Sequence, residues 1–170
     1  MSSDLRVPAS CLDEDDDAEL TWRVIAPAYD ALPIYDGPEA VARDLERLTS
    51  GQRALLAMHW CVSETLNGGF DQFFMNPSGL LTDELLIGLE RIGVPEAADI
   101  VRAARGVLVS RPPDADTTAP GFDEADEADR FDAYLAQYEE LQDRFQALID
   151  GELYARAAAY VRSHPEEFVR

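Results

Sequence analysis

The architecture of this chain turns on one run, Thr49-Ser50-Gly51-Gln52-Arg53-Ala54-Leu55-Leu56-Ala57-Met58-His59-Trp60-Cys61-Val62-Ser63-Glu64-Thr65-Leu66-Asn67-Gly68-Gly69-Phe70. Its apolar residues lie almost all round a 3.6-residue period, which predicts a central helix over about 52–66, buried on every side. Thr49 or Ser50 caps its start. Asn67-Gly68-Gly69 should end it, with Gly68 in the left-handed conformation that a side chain resists. Phe70, Phe73 and Phe74 then resume helical spacing.

On either side the signals are again helical. Pro27, Pro33 and Pro38 punctuate a short helix after Trp22, and Pro38 suits the first turn of the next, which carries Val41, Leu45 and Leu48. Downstream, Thr82 opens a helix with Leu85, Leu86, Leu89 and Ile92, and Pro95 opens another with Ile100, Val101, Ala104 and Leu108. Pro112-Pro113 marks a loop. A long helix follows, with Phe131, Tyr134, Leu135, Tyr138, Leu141, Phe145 and Leu148 on one stripe. Projected backward, that stripe meets Glu124 and Glu127, so the helix either starts near Asp126 or runs past the core. Ala157, Val161 and Phe168 suit a final docking segment. The strand signal is weak throughout. The expected fold is all-α: a single compact bundle of about six to eight helices over 21–170, preceded by a disordered acidic tail over 1–20.

Charge is the outlier of the composition: 34 acidic residues face 14 basic ones, all arginine, for a net charge of -20. It is localised, because residues 1–20 hold seven acids and one arginine, and residues 112–143 hold eleven and one. Such a surface repels nucleic acid and anionic membranes, and its natural partner is a cationic protein. No apolar run approaches the roughly 18 residues that span a bilayer, and the first twenty residues lack a basic and then apolar leader. Cys11 and Cys61 do not make a disulfide framework. A cytoplasmic protein with reduced thiols is expected.

Within 123–132, Asp123, Glu124, Asp126, Glu127, Asp129 and Asp132 place one charge per roughly 2.5 Å of helix, against about 1.7 Å in duplex DNA. Together with Asp114 and Asp116 they are the candidate partner-binding face. Acids at a helix start are also stabilised by the macrodipole, which accounts for two or three of them but not for eleven in 32 residues.

A catalytic reading would require His59, Glu64, Asp71 and His164 to supply acid, base or metal ligands. His59 and Cys61, two apart on a helix, point apart, whereas a helical metal pair needs three or four residues between ligands. No phosphate loop, serine elbow or cysteine pair is present. No enzymatic activity, cofactor or metal is therefore expected.

The pattern Trp60-x-x-x-Glu64-x-x-Asn67-Gly68-Gly69-Phe70-x-Gln72-Phe73-Phe74-x-Asn76-x-Ser78-Gly79, with Tyr35-Asp36-Gly37-Pro38 before it and Ile92-Gly93 and Ala97-Ala98 after it, resembles the signature of the family named for an acidic bacterial DNA-mimic protein. The resemblance runs from about Trp22 to Phe168. It implies an acidic helical homodimer that occupies the DNA-binding surface of a transcription factor. Tyr134 or Tyr138 are candidates for apolar groups exposed at such a dimer interface. In the motif itself the glycines suit a tight helix-to-helix turn and the aromatics suit core. Gln72 and Asn76 suit capping of buried backbone groups, and a pocket lined by Glu64, Asn67, Gln72 and Asn76 is the alternative. An inhibitor or immunity protein against a basic enzyme such as a nuclease fits the same charge pattern, as does an acidic helical domain with an unrelated protein partner.

Overall fold

The computed structural model describes residues 5–113, 117–118 and 122–170, and among these there are eight α-helices. α1 spans Asp17–Ala31, α2 Pro38–Leu45, α3 Ser50–Met75, α4 Thr82–Arg91, α5 Pro95–Leu108, α6 Glu124–Leu135, α7 Glu139–Asp150 and α8 Leu153–Ser163. Short 3-10 turns join several of them. The described residues form no sheet; a single parallel bridge pairs Val7 with Val169.

α3 is the centre. Thr49 caps it through a reciprocal pair: its hydroxyl accepts from the Gln52 backbone N at 3.1 Å, and its own backbone N donates to Gln52 Oε1 at 3.1 Å. These bonds satisfy donors that the first turn would otherwise leave orphaned. Ala54 to Met58, Cys61 and Val62 are buried on all sides, as the run predicts. α4 approaches so closely that a Cβ on Gly88 would lie 2.7 Å from Ala54 Cα, so glycine alone permits that approach. α1 packs on α3 and α8, and α5 packs on α4 and α7.

The chain bends sharply at the glycine pair. Gly69 holds φ 79 and ψ -178, whereas Gly68 lies at φ -153 and ψ 21, so the residue with positive φ is Gly69 and not Gly68. Beyond this break Phe70 and Phe73 are buried, and the Phe70 ring centroid lies 5.3 Å from that of Phe145 and 6.2 Å from that of Tyr138. The second half of α3 is thereby tied to the last third of the chain.

Two expectations are corrected. The segment 5–20 is not a disordered tail: Val7 is buried, its backbone N donates to Phe168 O at 2.9 Å, and Leu20 is fully enclosed. Asp16 caps α1 by accepting from Glu19 N at 2.8 Å, Arg162 donates to Asp17 Oδ1 at 2.8 Å, and Arg23 pairs with Glu14 at 2.8 Å. Acids that look like a solvated run in sequence are thus partly consumed by a helix cap and by distant arginines. Tyr134 and Tyr138, offered as exposed interface groups, are only 2% and 1% accessible, because each ring lies on the core side of its helix.

Candidate functional site

Asp123 caps α6 by accepting from Ala125 N at 2.9 Å, so the helix begins at Glu124. Its first two turns run past the core. Glu124, Ala125, Asp126, Ala128, Asp129, Arg130 and Asp132 are exposed; Glu127 is half-buried and paired with Arg130 at 2.7 Å, and Phe131 is half-buried where the helix reaches the core. Six of the eight residues expected on the acidic face therefore share one helix and its cap; Asp114 and Asp116 lie outside the described residues.

The face continues further than the sequence suggested. A 3-10 turn at Ala136–Tyr138 joins α6 to α7 without leaving right-handed dihedrals, so Glu139, Glu140 and Asp143 follow Asp129 and Asp132 on the solvent side of an almost unbroken helical rod. Residues three apart on such a rod lie roughly 5–6 Å from each other. Among the described residues, Glu124, Asp126, Asp129, Asp132, Glu139, Glu140 and Asp143 enter no salt bridge, whereas elsewhere Arg105 holds Asp83 at 3.0 Å and Arg144 holds Glu96 at 3.4 Å. The 11-acid segment could be counted in sequence, but only its pairing shows which carboxylates stay uncompensated.

A buried polar network anchors this rod. Tyr134 Oη donates to Asp71 Oδ1 at 2.6 Å, Arg111 Nε donates to the same oxygen at 3.3 Å, and the hydroxyls of Tyr134 and Tyr138 lie 3.0 Å apart. The Arg111 guanidinium also sits 5.5 Å from the Phe131 ring centroid, within cation–π range. Burial raises the Tyr134 hydroxyl well above its ordinary value, and the hydrogen bond to Asp71 adds to the shift. Asp71, a candidate acid or base in sequence, instead fastens α6 to the second half of α3.

Glu64 is 7% exposed, and its Oε2 accepts from Gln72 Nε2 at 2.6 Å and from Asn76 Nδ2 at 2.9 Å, while Ser78 Oγ stands 3.4 Å from Oε1. Gln72 and Asn76 therefore serve a side-chain carboxylate and not orphaned backbone groups. Asn67 is exposed and takes no part in this network, so the alternative of a pocket lined by all four residues is not what the structure brings together. Of the other motif residues, Trp60 stacks on Tyr29 with centroids 4.7 Å apart, and Phe74 lies against Phe73 at 5.2 Å. The four groups of the catalytic reading are not brought together: His59 Nε2 faces Thr21 Oγ1 at 3.1 Å, and His164 stacks on Tyr160 at 4.2 Å. Burial pushes the Cys61 thiol up. No group of three or more His, Cys, Asp or Glu among the described residues is placed to hold a metal, and no helix there is long and apolar enough to cross a membrane.

His59 carries a pH prediction. Enclosed between the Trp22 and Tyr154 rings, it is lowered by desolvation from 6.5 to about 4. The unfolded chain therefore binds a proton that the native protein refuses, and stability present above about pH 6.5 declines as pH falls toward 4. Between pH 7 and 5, before most carboxylates titrate, the loss should be on the order of 1 kcal/mol. Urea unfolding of His59→Gln checks it: the variant should show a flatter profile, and an unchanged slope would remove His59 as the cause.

No curated protein and no solved structure matches the chain. The profile of the family described as DMP19-like protein matches residues 46–164, which takes in the Glu64 network, the glycine break and the whole of the α6–α7 rod. With that match covering well over half of its length, the chain belongs to the DMP19-like protein family.

Proposed function

We propose that this protein is a binding module whose α6–α7 ridge takes the place of a nucleic-acid backbone on the DNA-binding surface of a cationic protein, a transcription regulator in the first instance. The observation that carries this reading is the row of exposed carboxylates without arginine partners, on a rod that stands clear of the core at its start. A groove-reading protein recognises phosphates chiefly through charge and spacing, and both are approximated here. The resemblance to a family named for a DNA mimic supports it and carries with it a homodimer; action on a transcription regulator also goes with a cytoplasmic location. The protein itself does not bind nucleic acid in this reading, because its net charge of -20 repels it.

The test is a pull-down from native lysate at low salt, eluted with a salt gradient and competed with duplex DNA. A variant carrying Glu124→Gln, Asp126→Asn, Glu127→Gln and Asp129→Asn should bind the captured protein at least about tenfold more weakly, with most of the change in association rate. Its melting temperature should stay close to the parent's, since three of these side chains are exposed and the fourth, half-buried Glu127, loses only a surface pair with Arg130. Undiminished binding by the variant, or a captured partner that duplex DNA does not displace, would refute mimicry by this ridge. Capture of a basic nuclease would assign the same surface to inhibition of an enzyme.

A further inference from the structure

Two pieces of the sequence motif that are forty residues apart meet on the surface as the banks of one groove. Tyr35 and Pro38 form one bank, and Phe74, Met75, Asn76 and Leu80 the other. The cavity measures about 490 Å³, within the roughly 300–1,000 Å³ of sites that take a small ligand or a few side chains. Tyr35 is 71% exposed, Met75 53% and Leu80 44%, so three large apolar side chains face solvent in one place. Its walls are fixed in advance: Asn76 is held by the buried Glu64 carboxylate, Pro38 and Pro77 restrict the backbone, and the Tyr35 ring stands edge-on to Trp60 at 6.4 Å.

Charge indicates what the groove accepts. No cationic side chain lines the cavity, and Asp36 and Glu39, which adjoin the lining residues Tyr35 and Pro38 in sequence without lining the cavity themselves, are exposed and enter no salt bridge among the described residues. We propose that this groove binds a peptide segment of another protein, one that seats a large apolar side chain between Tyr35 and Leu80 and sets a flanking arginine or lysine against Asp36, Glu39 and the Tyr35 ring. A cation over a tyrosine face and beside a carboxylate gains from both. A second copy of this chain fits this groove less well, because it has no lysine and twelve of its arginines already pair with its own carboxylates. The site is separate from the α6–α7 ridge and does not depend on the function proposed for it.

The experiment is amide-shift NMR on the labelled full chain, titrated with three acetylated and amidated tetrapeptides: Arg-Leu-Trp-Arg, Glu-Leu-Trp-Glu and Arg-Ser-Ser-Arg. Only the first should shift Tyr35, Met75 and Leu80. Its Kd should rise at least about tenfold in the double variant Tyr35→Ser, Leu80→Ser, and about threefold in Asp36→Asn, Glu39→Gln. These positions are exposed, and an otherwise unchanged spectrum verifies the fold of each variant. The ridge variant neutralised at 124–129 should bind the peptide as the parent does, which keeps the two sites distinguishable. No groove shift with any peptide, or equal shifts with the glutamate-flanked one, overturns the proposal. Groove shifts that depend on protein concentration alone, abolished with the dimer by Leu80→Ser, would also overturn it in favour of a second copy.

Discussion

Gly69→Val should lower the unfolding free energy by about 3 kcal/mol, through a backbone conformation that a β-branched residue cannot reach and a bond that its side chain would displace. Gly69 sits at φ 79 and ψ -178, a region essentially reserved for glycine. A Cβ there would meet Gln142 Oε1 at 2.4 Å, and that same oxygen accepts from Phe70 N at 3.3 Å. The substitution therefore strains the break in α3 and loosens its link to α7 together. Gly68→Ala is the comparison: its φ of -153 is not left-handed, but the added Cβ would press on the Gln72 side chain, 3.1 Å from its Cβ and against the amide that serves Glu64, so a smaller loss is expected there. Urea unfolding reads both. A Gly69→Val midpoint indistinguishable from the parent would mean that the break relaxes freely, and a larger loss from Gly68→Ala would move the constraint to the Glu64 network.

Glu64→Ala should also cost roughly 3 kcal/mol, because it strands donors that a buried carboxylate now satisfies. Gln72 Nε2 and Asn76 Nδ2 both lose their acceptor, while Ser78 Oγ keeps its bond to Phe73 O at 3.0 Å. Glu64→Gln retains a carbonyl oxygen for the same two amides and should cost about 1 kcal/mol. This pair of variants decides between two roles. A stabilising or neutral Glu64→Ala would show that the carboxylate is kept at the expense of stability, as groups reserved for ligand chemistry often are. The expected ordering, Ala well below Gln and Gln just below parent, makes Glu64 the strut that holds Asn76 in the groove wall.

Much of the helical architecture was legible because it rests on local rules. The Thr49 cap, the Pro38 and Pro95 helix starts, the buried run from Ala54 to Val62 and the stripe from Phe131 to Leu148 each follow from neighbours within about a turn. Acidic residues were less legible. A string such as Asp13 to Asp17 has the composition of a solvated tail, yet Arg162 and Arg23 approach it from other helices and Asp16 caps α1. Composition counts charges without their partners, and for that reason it overstated the tail and stopped the acidic face short of Glu139, Glu140 and Asp143.

By itself, the sequence determined the all-α class, the starts of α2 to α5 and the position of the chain break at the glycine pair, because periodicity and caps are properties of adjacent residues. Only the tertiary structure decided which carboxylates remain unpaired, that Tyr134 and Tyr138 turn inward to hold Asp71, that Gln72 and Asn76 serve Glu64, and that Tyr35 faces Leu80 across a groove. Each of those facts joins residues that are distant along the chain or presented on different faces. Such a pairing depends on how helices pack, which no local period encodes.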